Sequence, residues 1–206
     1  IAAWYLVHHD VPLTQAMSLI VSPEDPERKL VPQLHETAAW LASMRNDILQ
    51  EITKTDPDVL LRSDISTNAK FRKEIVDNLL KHYDNGKLFN RDFGSYIRYK
   101  KLKHPGLAEQ LRPYIQDSCK QLEARYEAID IAEICEVSSL QEDLVSLALD
   151  SSQPIDLRAN AAMAVSLVGD LDTRLKLKPL AIAELPEDED DQLKGYSLKA
   201  VWSECL

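Results

Sequence analysis

The stretch Arg158-Ala-Asn-Ala-Ala-Met-Ala-Val-Ser-Leu167 decides the fold. Alanine is the strongest helix former, and a helix so rich in alanine lets neighbours approach to the short end of the usual axis spacing of about 8–10 Å. A similar pattern, a basic residue followed by small and apolar residues, starts at Arg125, 33 residues earlier, and at Lys194, 36 residues later. Looser copies start at His35 and Arg72. The chain is therefore predicted to repeat one helical unit.

The spacing of these five anchors predicts how the units are arranged. They are separated by 37, 53, 33 and 36 residues, and three of these intervals match a two-helix repeat. The long interval holds an irregular insert at about 83–106. One hairpin cannot cover its own apolar face, so successive hairpins must stack. We predict an all-α, HEAT- or armadillo-like α-solenoid forming a single domain over 1–206; an ordinary helical bundle is the alternative. Small residues are expected at the helix contacts: Ala38, Ala128, Ala161, Ala162 and Ala200.

Local signals predict several helix boundaries and faces. Ser139 and Glu142 have the spacing of a capping box, in which each side chain satisfies a free backbone donor. Gly169 is expected in the left-handed conformation that ends a helix, and Pro113 is expected to end or kink the helix over 107–117. Asp191 is expected to cap the last helix. One amphipathic face is predicted from Leu34, Ala38, Trp40, Leu41 and Met44.

Composition limits the possible partners. The 206 residues include 24 Lys and Arg against 34 Asp and Glu, a net charge of −10. Such acidity argues against a chain that coats DNA or an anionic membrane as a whole. No apolar run approaches ~18 residues, so no membrane span or membrane partner is predicted. The three cysteines are expected to be reduced thiols in a cytoplasmic protein. The apolar start Ile1–Val7 lacks the features of a signal peptide and suggests a piece of a longer polypeptide.

The insert is the strongest candidate for a binding surface. From Lys87 to His104 there are six Lys or Arg and one acid, Asp92, with aromatic residues between them. Cations attract phosphates, and exposed aromatic rings stack on bases. There are three other interpretations: an acidic protein partner, a contact within the polypeptide, or a structural role. In the structural role the aromatic side chains pack against the rest of the chain while the cations extend into water. The candidate surface comprises Lys87, Arg91, Phe93, Tyr96, Arg98, Tyr99, Lys100, Lys101, Lys103 and His104.

Other chemical motifs are weaker, and we predict no metal and no cofactor. The acidic loop at 184–191 offers oxygens for Ca²⁺ but lacks the EF-hand order, so a solvated loop is the simpler interpretation. His8-His9-Asp10 lacks a third ligand at a suitable spacing. Asn85-Gly86-Lys87 lacks the upstream glycine and the Ser or Thr of a phosphate-binding loop. No Ser or Cys lies in a nucleophile motif.

Several longer segments resemble the helical, HEAT-like region that follows the nucleotide-binding module in bacterial NACHT-type STAND NTPases. They are Asp58–Asp64, Lys87–Asp92, Lys103–Pro113, Ala128–Glu133 and Leu185–Trp202. The resemblance implies a non-catalytic interaction or sensor module within a larger NTPase, in a family linked to antiphage defence. No ATP-site residue is carried over, so this chain is not expected to be an enzyme. The alternatives are a nucleic-acid-binding helical repeat and a HEAT-like DNA repair glycosylase, for which Asp92 is the only candidate carboxylate.

Overall fold

The computed structural model describes residues 1–62, 69–88 and 97–202. Over these ranges the chain is helical, as predicted, and the only extended pairing there is a single antiparallel bridge between Val21 and Leu30. The described residues form two compact units. Unit 1 comprises 1–62, 69–79 and 97–101, and unit 2 comprises 80–88 and 102–202. The single-domain organisation stays a prediction.

Unit 1 is built from short helices around α3. Its α-helices are α1 (Ala2–His8), α2 (Leu13–Ile20), α3 (His35–Met44), α4 (Asn46–Thr55) and the first part of α5 (Ala69–Asp84). The 3₁₀ segments Pro32–Leu34 and Pro57–Arg62 flank α3 and α4 in the chain. Helix α3 contacts α1, α2, α4 and both 3₁₀ segments. Its alanines at 38, 39 and 42 are fully or almost fully buried. Because these side chains are small, several neighbouring elements can pack closely against this one short helix.

Unit 2 contains three helical hairpins in chain order. Hairpin 1 pairs α6 (Leu107–Gln116) with α7 (Leu122–Ile134), and hairpin 2 pairs α8 (Gln141–Leu149) with α9 (Ile155–Val168). In hairpin 3 the first helix is divided into α10 (Leu171–Leu175) and α11 (Lys178–Ile182), and the second helix is α12 (Gln192–Trp202). A 3₁₀ turn, Ser138–Leu140, precedes α8. A further 3₁₀ segment, Ile97–Leu102, belongs to unit 1 except for its last residue.

The hairpins of unit 2 contact one another in the order of the sequence. Among the first helices, α6 contacts α8 and α8 contacts α10; among the second helices, α7 contacts α9 and α9 contacts α12. The anchors Arg125, Arg158 and Lys194 lie in these three second helices, so the 33- and 36-residue intervals correspond to steps from one hairpin to the next. The five alanines predicted at helix contacts are all fully buried, which confirms that prediction.

Two predictions about helix faces and ends are wrong. Trp40 and Met44 were expected inside, but their side chains are 58% and 40% exposed. They lie beside α1 on an open surface, because the alanines of α3 already fill the contacts on its buried side. The capping box does not form: α8 begins after Leu140 without a side-chain cap, and the Glu142 carboxylate accepts hydrogen bonds from Lys176 Nζ at 2.6 and 2.7 Å.

Gly169 also behaves differently from the prediction. It is extended, with φ −72° and ψ 144°, so its role is not a left-handed turn. A Cβ at this position would lie 2.7 Å from the Val165 carbonyl oxygen, so close approach is what requires glycine. The helix α6 does not end at Pro113 but continues to Gln116, and a kink at Pro113 stays a prediction.

The cap of α12 comes from a different acid. Asp188, not Asp191, accepts hydrogen bonds from the backbone N–H groups of Leu193 and Lys194, at 3.1 and 2.9 Å. Asp188 is buried, whereas Asp191 is exposed and has a positive φ of 54°. One carboxylate of the acidic loop, that of Asp188, therefore has a structural role.

Among the described residues, no helix combines the length and the apolarity needed to cross a bilayer.

Candidate functional site

The structure distributes the predicted basic surface between the two units. Arg91, Phe93 and Tyr96 lie outside the described residues, as does Asp92. The remaining residues of that surface fall in two groups. Arg98, Tyr99, Lys100 and Lys101 belong to unit 1, and Lys87, Lys103 and His104 belong to unit 2.

In unit 1 the basic 3₁₀ segment is only partly open to solvent. Tyr99 is 3% exposed, so its ring packs inside the unit and does not offer a free face to a base. Arg98 is half-buried, and its Nη1 has no hydrogen-bond partner among the described residues. Lys100 is exposed and Lys101 is half-buried. Of this group, Lys100 is the side chain most accessible to a partner.

In unit 2, Lys103 and His104 line a small pocket of about 200 Å³ beside the turn between α7 and α8. Lys103 Nζ lies 3.9 Å from Glu136 Oε2, so a carboxylate offsets its charge. His104 Nδ1 lies 2.8 Å from the Leu102 carbonyl oxygen, which holds the ring against its own backbone. The pocket therefore places one lysine beside one carboxylate, and its lining residues do not form a cluster of cations.

The polar feature that repeats in unit 2 is a buried arginine, which occurs at the same position in successive hairpins. Arg125 is 2% exposed and donates to the carbonyl oxygens of Tyr114 and Ile115, at 3.3 and 3.2 Å. These carbonyls belong to the last turn of α6, where helical acceptors lack internal partners. Arg125 Nη1 also donates to Gln153 Oε1, at 2.8 Å, in the loop of hairpin 2. One side chain thus joins both helices of its hairpin to the next hairpin.

Arg158 repeats this arrangement one hairpin later. It is 3% exposed, and its Nε donates to the Ala148 carbonyl oxygen in the last turn of α8, at 3.0 Å. Its Nη1 lies 3.7 Å from Glu187 Oε1, in the loop of hairpin 3. Arg125 and Arg158 are each the fourth residue of their helix. The sequence repeat therefore corresponds to a repeated set of contacts and not only to repeated composition.

Further polar contacts join the first helices of neighbouring hairpins. Arg112 Nε and Gln116 Nε2 in α6 donate to Asp143 in α8, at 3.1 and 2.6 Å. The side chain of Gln141, also in α8, exchanges hydrogen bonds with Asp170 before α10, at 2.8 and 2.9 Å. These side chains are half-buried or exposed, so each pair contributes modest energy, but the pairs link neighbouring hairpins at defined positions.

Three buried acids on α7 were missed by sequence reasoning. Glu127, Asp130 and Glu133 are each less than one-tenth exposed, and their spacing of three places them along one side of the helix. Asn160 Nδ2 in α9 donates to Asp130 Oδ1 at 3.3 Å. Buried carboxylates are rare unless they are paired. The available signal was the run of acids at every third position within an otherwise apolar segment.

The other candidate motifs do not assemble into a metal site in the described part of the chain. The rings of His8 and His9 contact Trp4 and Tyr5, one turn earlier, with centroids 4.6 and 4.2 Å apart. Asp188 in the acidic loop is occupied by the cap of α12. Across the described residues, no three His, Cys, Asp or Glu side chains are grouped to ligate one metal ion.

An apolar pocket of about 430 Å³ lies on unit 1 between α1 and α3. Its exposed apolar side chains are Ile1, Trp4, Trp40 and Met44, with Glu36 at its edge. Sequence reasoning assigned Trp40 and Met44 to the core and so missed this surface. Its chemistry suits an apolar side chain of a partner, since few polar groups converge there to fix a small molecule.

Cys135 is expected to be unreactive in the folded protein. Burial raises the pKa of its thiol to about 12, so at pH 8 only about 10⁻⁴ of it is thiolate, the reactive form. Cys119 is exposed. In a Cys205→Ser variant, an aromatic disulfide reagent should titrate one thiol rapidly and the second only after a denaturant is added. Two thiols reacting at similar rates in the native protein would contradict the described burial of Cys135.

Comparison of the chain with protein-family models, with curated proteins and with solved structures gave no match. The resemblance to the NACHT-associated helical region therefore stays a hypothesis, which rests on the quoted sequence segments.

Proposed function

We propose that the chain is a HEAT-like α-solenoid region that acts as a non-catalytic interaction or sensor module of a NACHT-type NTPase. In this role the helical array binds a partner, and binding changes how the array packs against the NTPase module. Such coupling requires the partner to bind two arrangements of the array with different affinities. Because the family is linked to antiphage defence, we place the proposed module in that setting.

One observation carries the proposal: the sequence interval of 33–36 residues coincides with the step between hairpins in unit 2. The second helices α7, α9 and α12 contact one another in order, and Arg125 and Arg158 make equivalent contacts in successive hairpins. In such a row each hairpin depends on its neighbours for burial, so strain at one surface is passed to the next hairpin. This property suits a module that reports binding.

The proposal predicts that the chain alone does not hydrolyse ATP. Purified chain should release no phosphate above the buffer rate, since no segment has the spacing of a phosphate-binding loop. The reading frame that encodes the chain should contain a Walker-type loop upstream, and a polypeptide containing both parts serves as the positive control. Measurable turnover by the purified chain would contradict the non-catalytic role, and a reading frame without such a loop would remove the NTPase assignment.

The sensor role has its own test in that longer polypeptide. Charge reversal at the exposed Lys100, as Lys100→Glu, is expected to change the ligand-dependent rate of ATP hydrolysis by about fivefold or more if this surface binds the partner. Reversal at Lys70, an exposed lysine of α5 in the same unit and outside the insert, is the control. If both variants show the same ligand-dependent rate of ATP hydrolysis under phage challenge, the basic 3₁₀ segment is excluded as the sensing surface.

A further inference from the structure

The second helices of unit 2 share a set of buried positions, which we call the inner positions. They lie one residue before and three, six and seven residues after the anchors Arg125, Arg158 and Lys194, so they share one side of each helix. Every side chain at these positions is at most 5% exposed. They are Ala124, Ala128, Ile131 and Ala132 in α7, Leu157, Ala161, Ala164 and Val165 in α9, and Leu193, Ser197, Ala200 and Val201 in α12.

The outer positions, four and eight residues after each anchor, differ between α12 and the two helices before it. In α12 they hold Leu198 and Trp202, which are 38% and 61% exposed. In α7 and α9 the side chains at these positions are all less than one-tenth exposed: Ile129, Glu133, Ala162 and Ser166. Helix α12 thus exposes apolar side chains at positions that are buried in each hairpin that another hairpin follows.

Two contacts show that the outer side of a second helix faces the next hairpin. Asp130 of α7 and Met163 of α9 each lie five residues after their anchor, three residues before the second outer position and therefore beside it on the helix surface. Asp130 Oδ1 accepts a hydrogen bond from Asn160 in α9, and Met163 Sδ lies 3.5 Å from Lys199 Nζ in α12. The outer side of α12 is the corresponding surface of hairpin 3.

The first helix of hairpin 3 also exposes apolar side chains, those of Leu171, Leu175 and Ile182. Together with Leu198 and Trp202 they are five of the eight large apolar side chains that are exposed in the described part of unit 2. A hairpin that ends a row of repeats needs a polar outer face, which keeps the row soluble. Hairpin 3 does not have the surface of such a capping hairpin.

We propose that the outer face of hairpin 3 binds a further hairpin of the same repeat, in the same polypeptide. The second helix of that hairpin packs its inner positions against Leu198 and Trp202, as α12 packs against α9. The inference goes beyond the proposed function, since it concerns the length of the array and not its link to an NTPase.

A second copy of the chain does not offer the surface that this site needs. In the row, each following hairpin contributes the inner positions of its second helix, and in all three hairpins of unit 2 these positions are already buried. The partner is therefore an additional hairpin with free inner positions. The repeat interval places its anchor, a basic residue, about 33–37 residues after Lys194, with small or apolar residues at the inner positions.

Quenching of Trp202 fluorescence by acrylamide measures whether the outer face is covered. The 206-residue chain is compared with a polypeptide that continues through the added hairpin, both carrying Trp4→Phe and Trp40→Phe, with any tryptophan of the added hairpin also replaced. Trp202 should become about as buried as Ser166, its equivalent in α9, so its quenching constant should fall about fourfold or more in the longer polypeptide.

Two matched controls show whether the protection is local. With Trp40 as the remaining tryptophan, 58% exposed in unit 1, quenching should be equal in the two polypeptides. In the longer polypeptide, Leu198→Glu should restore quenching of Trp202 to the value of the shorter chain, because the carboxylate cannot be buried at the interface without a partner. Leu167→Glu makes the same change at an exposed leucine of α9 and should leave the protection intact.

Four outcomes would overturn the proposal. They are a reading frame that lacks this hairpin after Leu206, equal quenching of Trp202 in the two polypeptides, and protection that survives Leu198→Glu in a variant folded by circular dichroism. The fourth is protection of Trp202 in the 206-residue chain that rises with protein concentration, which would assign the face to a second copy. None of these outcomes bears on the Walker-type loop, which is sought upstream of the chain.

Discussion

The Arg125→Ala variant is expected to lose about 3–5 kcal/mol in the free energy of unfolding of unit 2. The substitution removes three hydrogen bonds from a side chain that is 2% exposed. It leaves the carbonyls of Tyr114 and Ile115 without their donor and opens a cavity between two hairpins. Burial lowers the pKa of the Arg125 guanidinium, but arginine stays charged. The variant therefore also loses the favourable interaction of this cation with the C-terminal end of α6.

Urea denaturation followed by circular dichroism measures this loss. Arg125→Lys should recover only part of it, because a single ammonium cannot reach three acceptors in the geometry of a guanidinium. Arg112→Ala, which removes a more exposed arginine that bonds Asp143 across the first helices, should cost less than about 1 kcal/mol. A cost at Arg125 no larger than the cost at Arg112 would show that the repeated arginine does not hold the hairpins together.

The second large effect is expected from Ala162→Leu, at about 3 kcal/mol of destabilisation. Ala162 is fully buried in α9, the helix that contacts both α7 and α12. Leucine at this position must separate α9 from a neighbouring helix or adopt a strained rotamer. Leucine itself favours helix, so the loss cannot come from helix propensity.

Thermal unfolding of Ala162→Leu is best compared with Leu167→Ala in the same helix. Leu167 is exposed, and its truncation should change stability by less than about 1 kcal/mol. The two substitutions change side-chain volume by the same amount in opposite directions. If Ala162→Leu is as stable as the parent chain, α9 does not have a close neighbour at this position, and the described order of hairpins is wrong there.

The parts of the fold that follow from local composition were predictable from the sequence. Buried alanine is favoured where two helix axes come close, and Ala128 and Ala161 recur at the 33-residue interval for that reason. The arginines at 125 and 158 were found as repeat anchors. Their contacts with Gln153 and Glu187 were not, because those residues lie in the loops of the next hairpin and carry no pattern of their own.

The errors arose where tertiary contacts override a local signal. Trp40 lies within a helical apolar pattern, yet the alanines of α3 leave it on the surface. Glu142 has the spacing of a capping box, yet Lys176 in hairpin 3 takes its carboxylate. Gly169 ends a helix, as expected of glycine, yet the close Val165 carbonyl, and not a left-handed turn, requires it. Of these competing groups, Lys176 lies in another hairpin, outside the sequence window from which the capping box was predicted.

The sequence predicted the residue types of the candidate site but not their burial or contacts. A run of cations and aromatics stands out in the sequence, but burial of Tyr99 and the approach of Glu136 to Lys103 depend on folding. The buried acids of α7 escaped notice for the opposite reason, since acids in a helix are ordinarily taken as a solvated face. Burial of charge is set by what the rest of the chain places beside it.

Cross-linking in a variant with Cys119, Cys135 and Cys205 replaced tests most directly whether α9 lies between α7 and α12. Cysteine pairs are placed at 130 and 160, where Asp130 Oδ1 and Asn160 Nδ2 are 3.3 Å apart, and at 163 and 199, where Met163 Sδ and Lys199 Nζ are 3.5 Å apart. Because contact between side-chain tips does not place two Cβ atoms at disulfide distance, a bifunctional thiol reagent that spans about one helix spacing, about 8–10 Å, joins the pairs. Both pairs should cross-link, and a pair at 130 and 199, separated by two helix spacings, should not. A folded chain that links 130 to 199, or that links neither adjacent pair, would contradict the row of hairpins.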